Sequence, residues 1–241
     1  MPSLQRVSAT LLHASAAYTM AWGWFALSGT GFDEWVHVQK GGHTQFLTIQ
    51  GLAVAFTTMA LALVNDIFPQ IPFVKQTKRA FGLLSLPLAF VVSTIYWSLI
   101  IFLPDMIIPQ PGVPSGAPSA VAPPPLLLPL STDLALHAAP FLSLLLDFFV
   151  FDRKFSKSEM VRTAPAMAVA MAVWYGSWVE HCASYNGVFP YPFLTENPLP
   201  IRVFIYAGAT LLAVGVLHVL NPLHPNPRQG STRSVARPRG G

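Results

Sequence analysis

Six apolar stretches alternate with polar or Pro-rich connections along the chain, at roughly residues 7–29, 46–65, 80–103, 130–151, 163–185 and 200–220. A hydrocarbon core about 30 Å thick is crossed by about 20 helical residues. Each stretch meets that length, and neither strand-period alternation nor a Gly-rich fingerprint competes with the helical pattern. The predicted fold class is therefore all-α: a polytopic membrane protein with six transmembrane helices in one bundle. The first stretch follows a single basic residue, Arg6. It is too long for a signal peptide and lacks a small-residue cleavage site, so it is expected to stay as the first span.

Composition sharpens this reading. Of 241 residues, 53% are hydrophobic and only 10% charged, and the mean hydropathy is +0.51. That balance belongs to multipass membrane proteins and leaves little for a soluble domain. The lone Cys182 excludes an internal disulfide and any zinc site built on several thiolates. Residues 1–222 are expected to form the six-span domain, with a Pro-rich loop over 104–129 that holds nine of the 23 prolines. The basic, Pro-rich tail over 223–241 is expected to be disordered.

The net charge of +4 would suggest nucleic acid in a soluble protein, but here the cations flank apolar segments and report topology. Connections 67–79 and 152–162 carry Lys75, Lys78, Arg79, Arg153, Lys154, Lys157 and Arg162, and the tail adds four arginines. The alternate connections, 30–45, 104–129 and 186–199, hold only Lys40. The positive-inside rule then puts both termini in the cytosol, with the chain in the endoplasmic reticulum or another endomembrane. A glycosylation acceptor inserted near residue 115 should be modified in the secretory pathway and one in the tail should stay bare. Modification of the tail alone would invert this topology.

Candidate chemistry begins with His137, set in the apolar run DLALHAAPFLSLLLDFFVF over 133–151. A titratable side chain in hydrocarbon is penalised by roughly 2–3 kcal/mol or more, so its presence there asks for a use and a partner. His137 lies about two turns into the fourth span, a depth of roughly 10 Å. The second span starts on the same side and puts Thr48 about one turn in, and the fifth ends there with Glu180, His181 and Tyr185. Three spans thus bring polar groups to one layer away from the basic loops, while the opposite half offers mainly Asn65, Asp66 and Asp147. Each residue also has a plainer reading. A membrane threonine most often bonds its hydroxyl back to the carbonyl one turn earlier, and Glu180 and His181 sit near a span boundary where water reaches. Asp133, one turn before His137, either orients the imidazole or favours the helix dipole. His43, His137 and His181 show no i, i+4 ligand pair, so no metal is expected.

The FLT opening of the second span (Phe46, Leu47, Thr48), the lone His137 of the fourth and the NGVFPYPFL element after the fifth add a further pointer. With the six spans, they resemble the androgen-induced / androgen-dependent TFPI-regulating protein family of multipass transmembrane threonine hydrolases. The similarity covers most of residues 1–222. The resemblance implies hydrolysis of fatty acid esters of hydroxy fatty acids, with Thr48 as nucleophile and His137 as base, and with no cofactor or metal. It implies a lipid substrate with acyl chains as the partner, and no nucleic acid. Asp133, Glu180 and His181 are the candidate supporting residues. Two other classes stay open: a proton-coupled transporter or channel, which should continue its polar groups to the cytosolic face, and a non-catalytic membrane scaffold.

Overall fold

The structure is a computed structural model and describes residues 4–108 and 127–225. Among these residues all regular structure is helical: α1 (Leu4–Phe25), α2 (Gly31–His37), α3 (Leu47–Ile67), α4 (Pro72–Phe102), α5 (Leu130–His137), α6 (Ala139–Val150), α7 (Ala164–Asn186), α8 (Pro192–Thr195) and α9 (Leu199–Leu223). Helices α3, α4 and α9 are each long and apolar enough to cross a membrane, and α5 with α6 makes a fourth candidate, bent by 41°. Helices α1 and α7, of 22 and 23 residues, have the length of a span. Their composition is more mixed: α1 carries Gln5, Arg6 and His13, and α7 is rich in alanine and carries Glu180 and His181. The expected Pro-rich loop lies largely outside the described residues, as does the tail beyond Pro225.

Small residues let the rods approach. A Cβ on Gly23 of α1 would come within 2.9 Å of the Ala135 Cβ on α5, so that crossing depends on glycine. Around it, Met20, Met59, Leu86, Leu144 and Phe148 form the buried core shared by α1, α3, α4 and α6. Helix α9 packs on α4 and α7 at the periphery.

Two departures from the sequence reading have local causes. The connection 30–45, taken as a loop, contains α2, whose first turn is capped by the Thr30 hydroxyl accepting from the Asp33 amide at 3.1 Å, and a 3-10 turn over Gly42–Gln45. That turn opens at Gly41, φ +86°, where an added Cβ would also stand 2.5 Å from the Cys182 sulfur. The fourth span, read as one helix, breaks at Ala138. Pro140 has no N–H for the Leu136 carbonyl and its ring crowds that carbonyl, which is enough to bend a helix there.

At the basic end the bundle holds a buried ion layer. His13 Nδ1 lies 2.7 Å from Asp66 and Nε2 3.0 Å from Asp147, while Lys78 Nζ contacts Asp147 at 2.6 Å and Asp152 at 2.8 Å. Arg79 closes the layer on Asp152 and Glu159, and that guanidinium holds the Glu159 carboxyl down at about 2. Asp66 and Asp147 were visible as polar residues of this half, whereas His13 and Lys78 were not read as their partners. Between this layer and the opposite end, buried hydroxyls bond locally: Thr58 to the Val54 carbonyl and to Ser85, and Ser143 to the Pro140 carbonyl.

Candidate active site

Thr48 is the second residue of α3, and this position decides what its hydroxyl does. Further along the helix, Thr57 and Thr58 bond back to the Ala53 and Val54 carbonyls at 2.8 Å. The corresponding carbonyl for Thr48 is that of Thr44, which sits in the preceding 3-10 turn and already accepts from Gln50 Nε2 at 2.8 Å and Trp178 Nε1 at 3.1 Å. The Thr48 hydroxyl turns inward and meets His137 Nε2 at 3.3 Å. Both side chains are buried, Thr48 at 8% exposure and His137 at 6%. Neither faces the lipid side of its helix.

Asp133, one turn before His137 on α5, accepts from Nδ1 at 2.7 Å through Oδ1, and its own carbonyl lies 3.2 Å from the same nitrogen. Asp133 lies in the first turn of α5 and also meets the imidazole, so both readings of the residue hold together. A proton on Nδ1 leaves the Nε2 lone pair free to accept from the Thr48 hydroxyl. Tyr96 of α4 lies flat on the imidazole, with ring centroids 3.4 Å apart and planes 1° from parallel, and fixes its tilt. Hydroxyl, imidazole and carboxylate therefore stand in the same order as the side chains of acyl-transfer enzymes on unrelated folds.

Glu180 and His181 do not join this group. Glu180 receives Arg202 in two bonds of 2.7 Å and the Tyr206 hydroxyl at 3.1 Å, because an arginine at the start of α9 needs an anion where water is scarce. His181 lies on the outer side of α7 against Trp178 and Tyr185. His43 pairs with Asp33 at 2.6 Å, and that hydrogen bond holds the Asp33 carboxyl below its ordinary range. The three histidines of the sequence reading thus serve three separate settings.

Two apolar cavities meet at the pair. The first runs from Thr48 and Tyr96 down α4 to Leu83, walled by α7 and α9. The helical rise makes that stretch of α4 roughly 20 Å long. The second lies on the other side, between Phe32, Phe46 and Leu136 and the two flanks of the Pro-rich loop at Ile107, Ile108, Leu127 and Leu128. Thr48, Tyr96, Ile107 and Tyr191 line both, and His137 lines the second. Sequence reasoning missed Tyr96 and Tyr191 as site residues. Tyr191 lies inside the NGVFPYPFL element, but its place in the site depends on a chain reversal at Gly187, φ +72°, which returns the segment beneath α3.

The sequence pattern of the FAR-17a/AIG1-like protein family matches residues 8–225. The chain belongs to that family. It is also similar to two UPF0641 membrane proteins of yeasts. One, from Schizosaccharomyces pombe, is 29% identical over 226 residues, covering 92% of this chain and 93% of the relative. The other, from Saccharomyces cerevisiae, is 26% identical over 221 residues, covering 86% and 87% respectively. No solved structure matches the chain. Membrane embedding is thus common to the family members and to the apolar helices of this fold.

Proposed function

We propose that this FAR-17a/AIG1-like protein is an intramembrane lipid ester hydrolase that cleaves fatty acid esters of hydroxy fatty acids. The observation that carries the reading is the Thr48 hydroxyl facing the Asp133-anchored His137 where two apolar cavities meet. A substrate with two acyl arms joined at an ester suits a site with one cavity on each side of a nucleophile. The residues provide each proton transfer. His137 Nε2 takes the Thr48 proton as Oγ1 attacks the ester carbon, and imidazole titrates in the right range for that task. Collapse breaks the bond to the hydroxy acid oxygen, which receives the proton from His137, and leaves acyl-Thr48. His137 then deprotonates a water that attacks the acyl carbon, releasing the fatty acid and restoring the threonine. Asp133 steadies the imidazolium in both halves without taking the proton.

A proton-coupled transporter would use the same ionisable groups, and the ion layer of His13, Asp66, Asp147 and Lys78 at the basic end is the feature that favours it. Against it, the hydroxyls between the two layers form one interhelical pair, Thr58 with Ser85, and otherwise bond to carbonyls of their own helices, so these bonds link neither layer to the other. Detergent-purified protein, tested for release of fatty acid from such an ester and, after reconstitution, for ion flux, separates the readings. Hydrolysis without flux is the expected result. Flux without hydrolysis would replace the hydrolase reading by the transporter.

A further inference from the structure

An acyl transfer needs donors where the carbonyl oxygen becomes negative, and removing one such donor typically lowers kcat by roughly 100- to 1000-fold. In this bundle the supply is found at the N-terminus of α3. The cap residue Phe46 has no side-chain acceptor, and its carbonyl takes the amides of Ile49 and Gln50 at 3.1 and 3.3 Å. The amides of Leu47 and Thr48, first in the helix, have no carbonyl one turn back within it. The oxygen that stands beside them is the phenol of Tyr191, which also lies next to the Thr48 hydroxyl and packs edge-on against Phe46 at 5.5 Å between centroids.

Tyr175 of α7 supplies the second observation. It is 6% exposed and lines the first cavity with Thr48 and Tyr191, and its hydroxyl meets no partner in good hydrogen-bond geometry among the described residues. It is placed near the Leu47 amide and the Tyr191 phenol. Leaving a buried hydroxyl without an acceptor is costly, and a fold tolerates it where a ligand brings the missing acceptor. The third phenol of this layer, Tyr96, stacks its ring on His137 and has its hydroxyl beside the Asp133 carboxylate.

We infer that Tyr191 and Tyr175 donate to the oxyanion formed when the Thr48 oxygen attacks an ester, so that both are catalytic residues; this rests on the hydrolase reading of Thr48 and His137. The Tyr191 oxygen lies beside the α3 amides, and in this arrangement it accepts from them while its O–H serves the cavity. Donors to a phenol oxygen strengthen its own O–H as a donor, so the helix N-terminus acts through the tyrosine. Tyr175 completes the cradle from the α7 side. The oxyanion receives two O–H bonds, and on collapse of the tetrahedral adduct both phenols keep their protons.

The test uses the full-length purified protein and a palmitoyl ester of a hydroxystearic acid, with kcat and KM measured for wild type, Thr48→Ala, Tyr191→Phe and Tyr175→Phe, and thermal unfolding measured in parallel. Tyr191→Phe should lower kcat by roughly 100-fold and Tyr175→Phe by roughly tenfold or more, with KM nearly unchanged, since the donors act on the transition state. Wild-type kcat in Tyr191→Phe, beside an inactive Thr48→Ala, overturns this inference and spares the hydrolase reading. No hydrolysis by wild type, or full activity in Thr48→Ala, overturns both. Should Tyr191→Phe not fold, the wild type decides through the matching thionoester, whose sulfur is a poor acceptor. An oxoester cleaved at least tenfold faster than the thionoester, by a margin that shrinks in Tyr175→Phe, supports the phenol donors, and a ratio near one or one unchanged in Tyr175→Phe overturns them.

Discussion

Thr48→Ala and His137→Ala should each lower ester hydrolysis by about ten-thousand-fold or more, and the double variant should be little worse than either single one. The expectation of non-additivity follows from the geometry. A threonine hydroxyl is a weak nucleophile without a base within reach, and a histidine with nothing to deprotonate contributes nothing further. Thr48→Ser keeps the hydroxyl and should retain partial activity. His137→Ala should still fold, because it removes a polar group from an apolar layer, although Asp133 then loses the partner 2.7 Å away. Labelling by a fluorophosphonate probe is a second readout and should vanish in Thr48→Ala. Wild-type turnover in Thr48→Ala would dispose of the threonine as nucleophile, and activity in His137→Ala would return the histidine to a structural role.

The largest expected loss of stability lies at the other end of the bundle. Asp147 is 4% exposed and holds both His13 and Lys78, themselves 2% and 8% exposed. Its replacement by alanine removes one anion from a buried layer and leaves two cationic or cation-prone groups competing for Asp66 and Asp152. Breaking a buried pair on one side costs roughly 3–5 kcal/mol, while replacing both partners by apolar groups of similar volume is often close to neutral. Asp147→Ala should therefore unfold in detergent at a markedly lower temperature than wild type, and Asp147→Leu combined with Lys78→Met should recover most of the loss. Equal melting of Asp147→Ala and wild type would show that the layer contributes no stability.

How far the sequence alone carried these conclusions differs from residue to residue. The all-helical membrane fold follows from length and composition, because crossing hydrocarbon imposes a constraint that α3, α4 and α9 each meet by themselves, while α1 and α7 have the length with a more mixed composition. The meeting of Thr48 and His137 was legible from depth: both lie about the same distance from the same end, and few polar groups share that layer. Asp133 was legible as a spacing of four on one helix. The bend at Ala138 was written in Pro140 and could have been read by the same rule. Tyr191 and Tyr175 were out of reach, since their convergence on α3 depends on the turn at Gly187 and on the rotation of α7 about its own axis, neither of which hydropathy encodes. Glu180 was read as an interfacial or structurally paired residue with support of the site as the other possibility, and the sequence left its partner open for a related reason. A depth argument gives the level of a residue and not its azimuth, and at that level the cation Arg202 claims the carboxylate.

Helix α9 gives the first cavity a wall of unusual character. Only 11% of its most apolar window is buried within the protein, yet Ile205, Tyr206, Ala209, Thr210 and Ala213 close one side of that cavity. Most of its surface is solvated by lipid, so its height and tilt respond to bilayer thickness at a modest cost per ångström of mismatch. The width and reach of the cavity are thereby shared properties of chain and membrane. The same polypeptide in a thin bilayer and in a thick one would present pockets of different dimensions, and under the proposed hydrolase function its preference among acyl chain lengths would shift with the lipid around it.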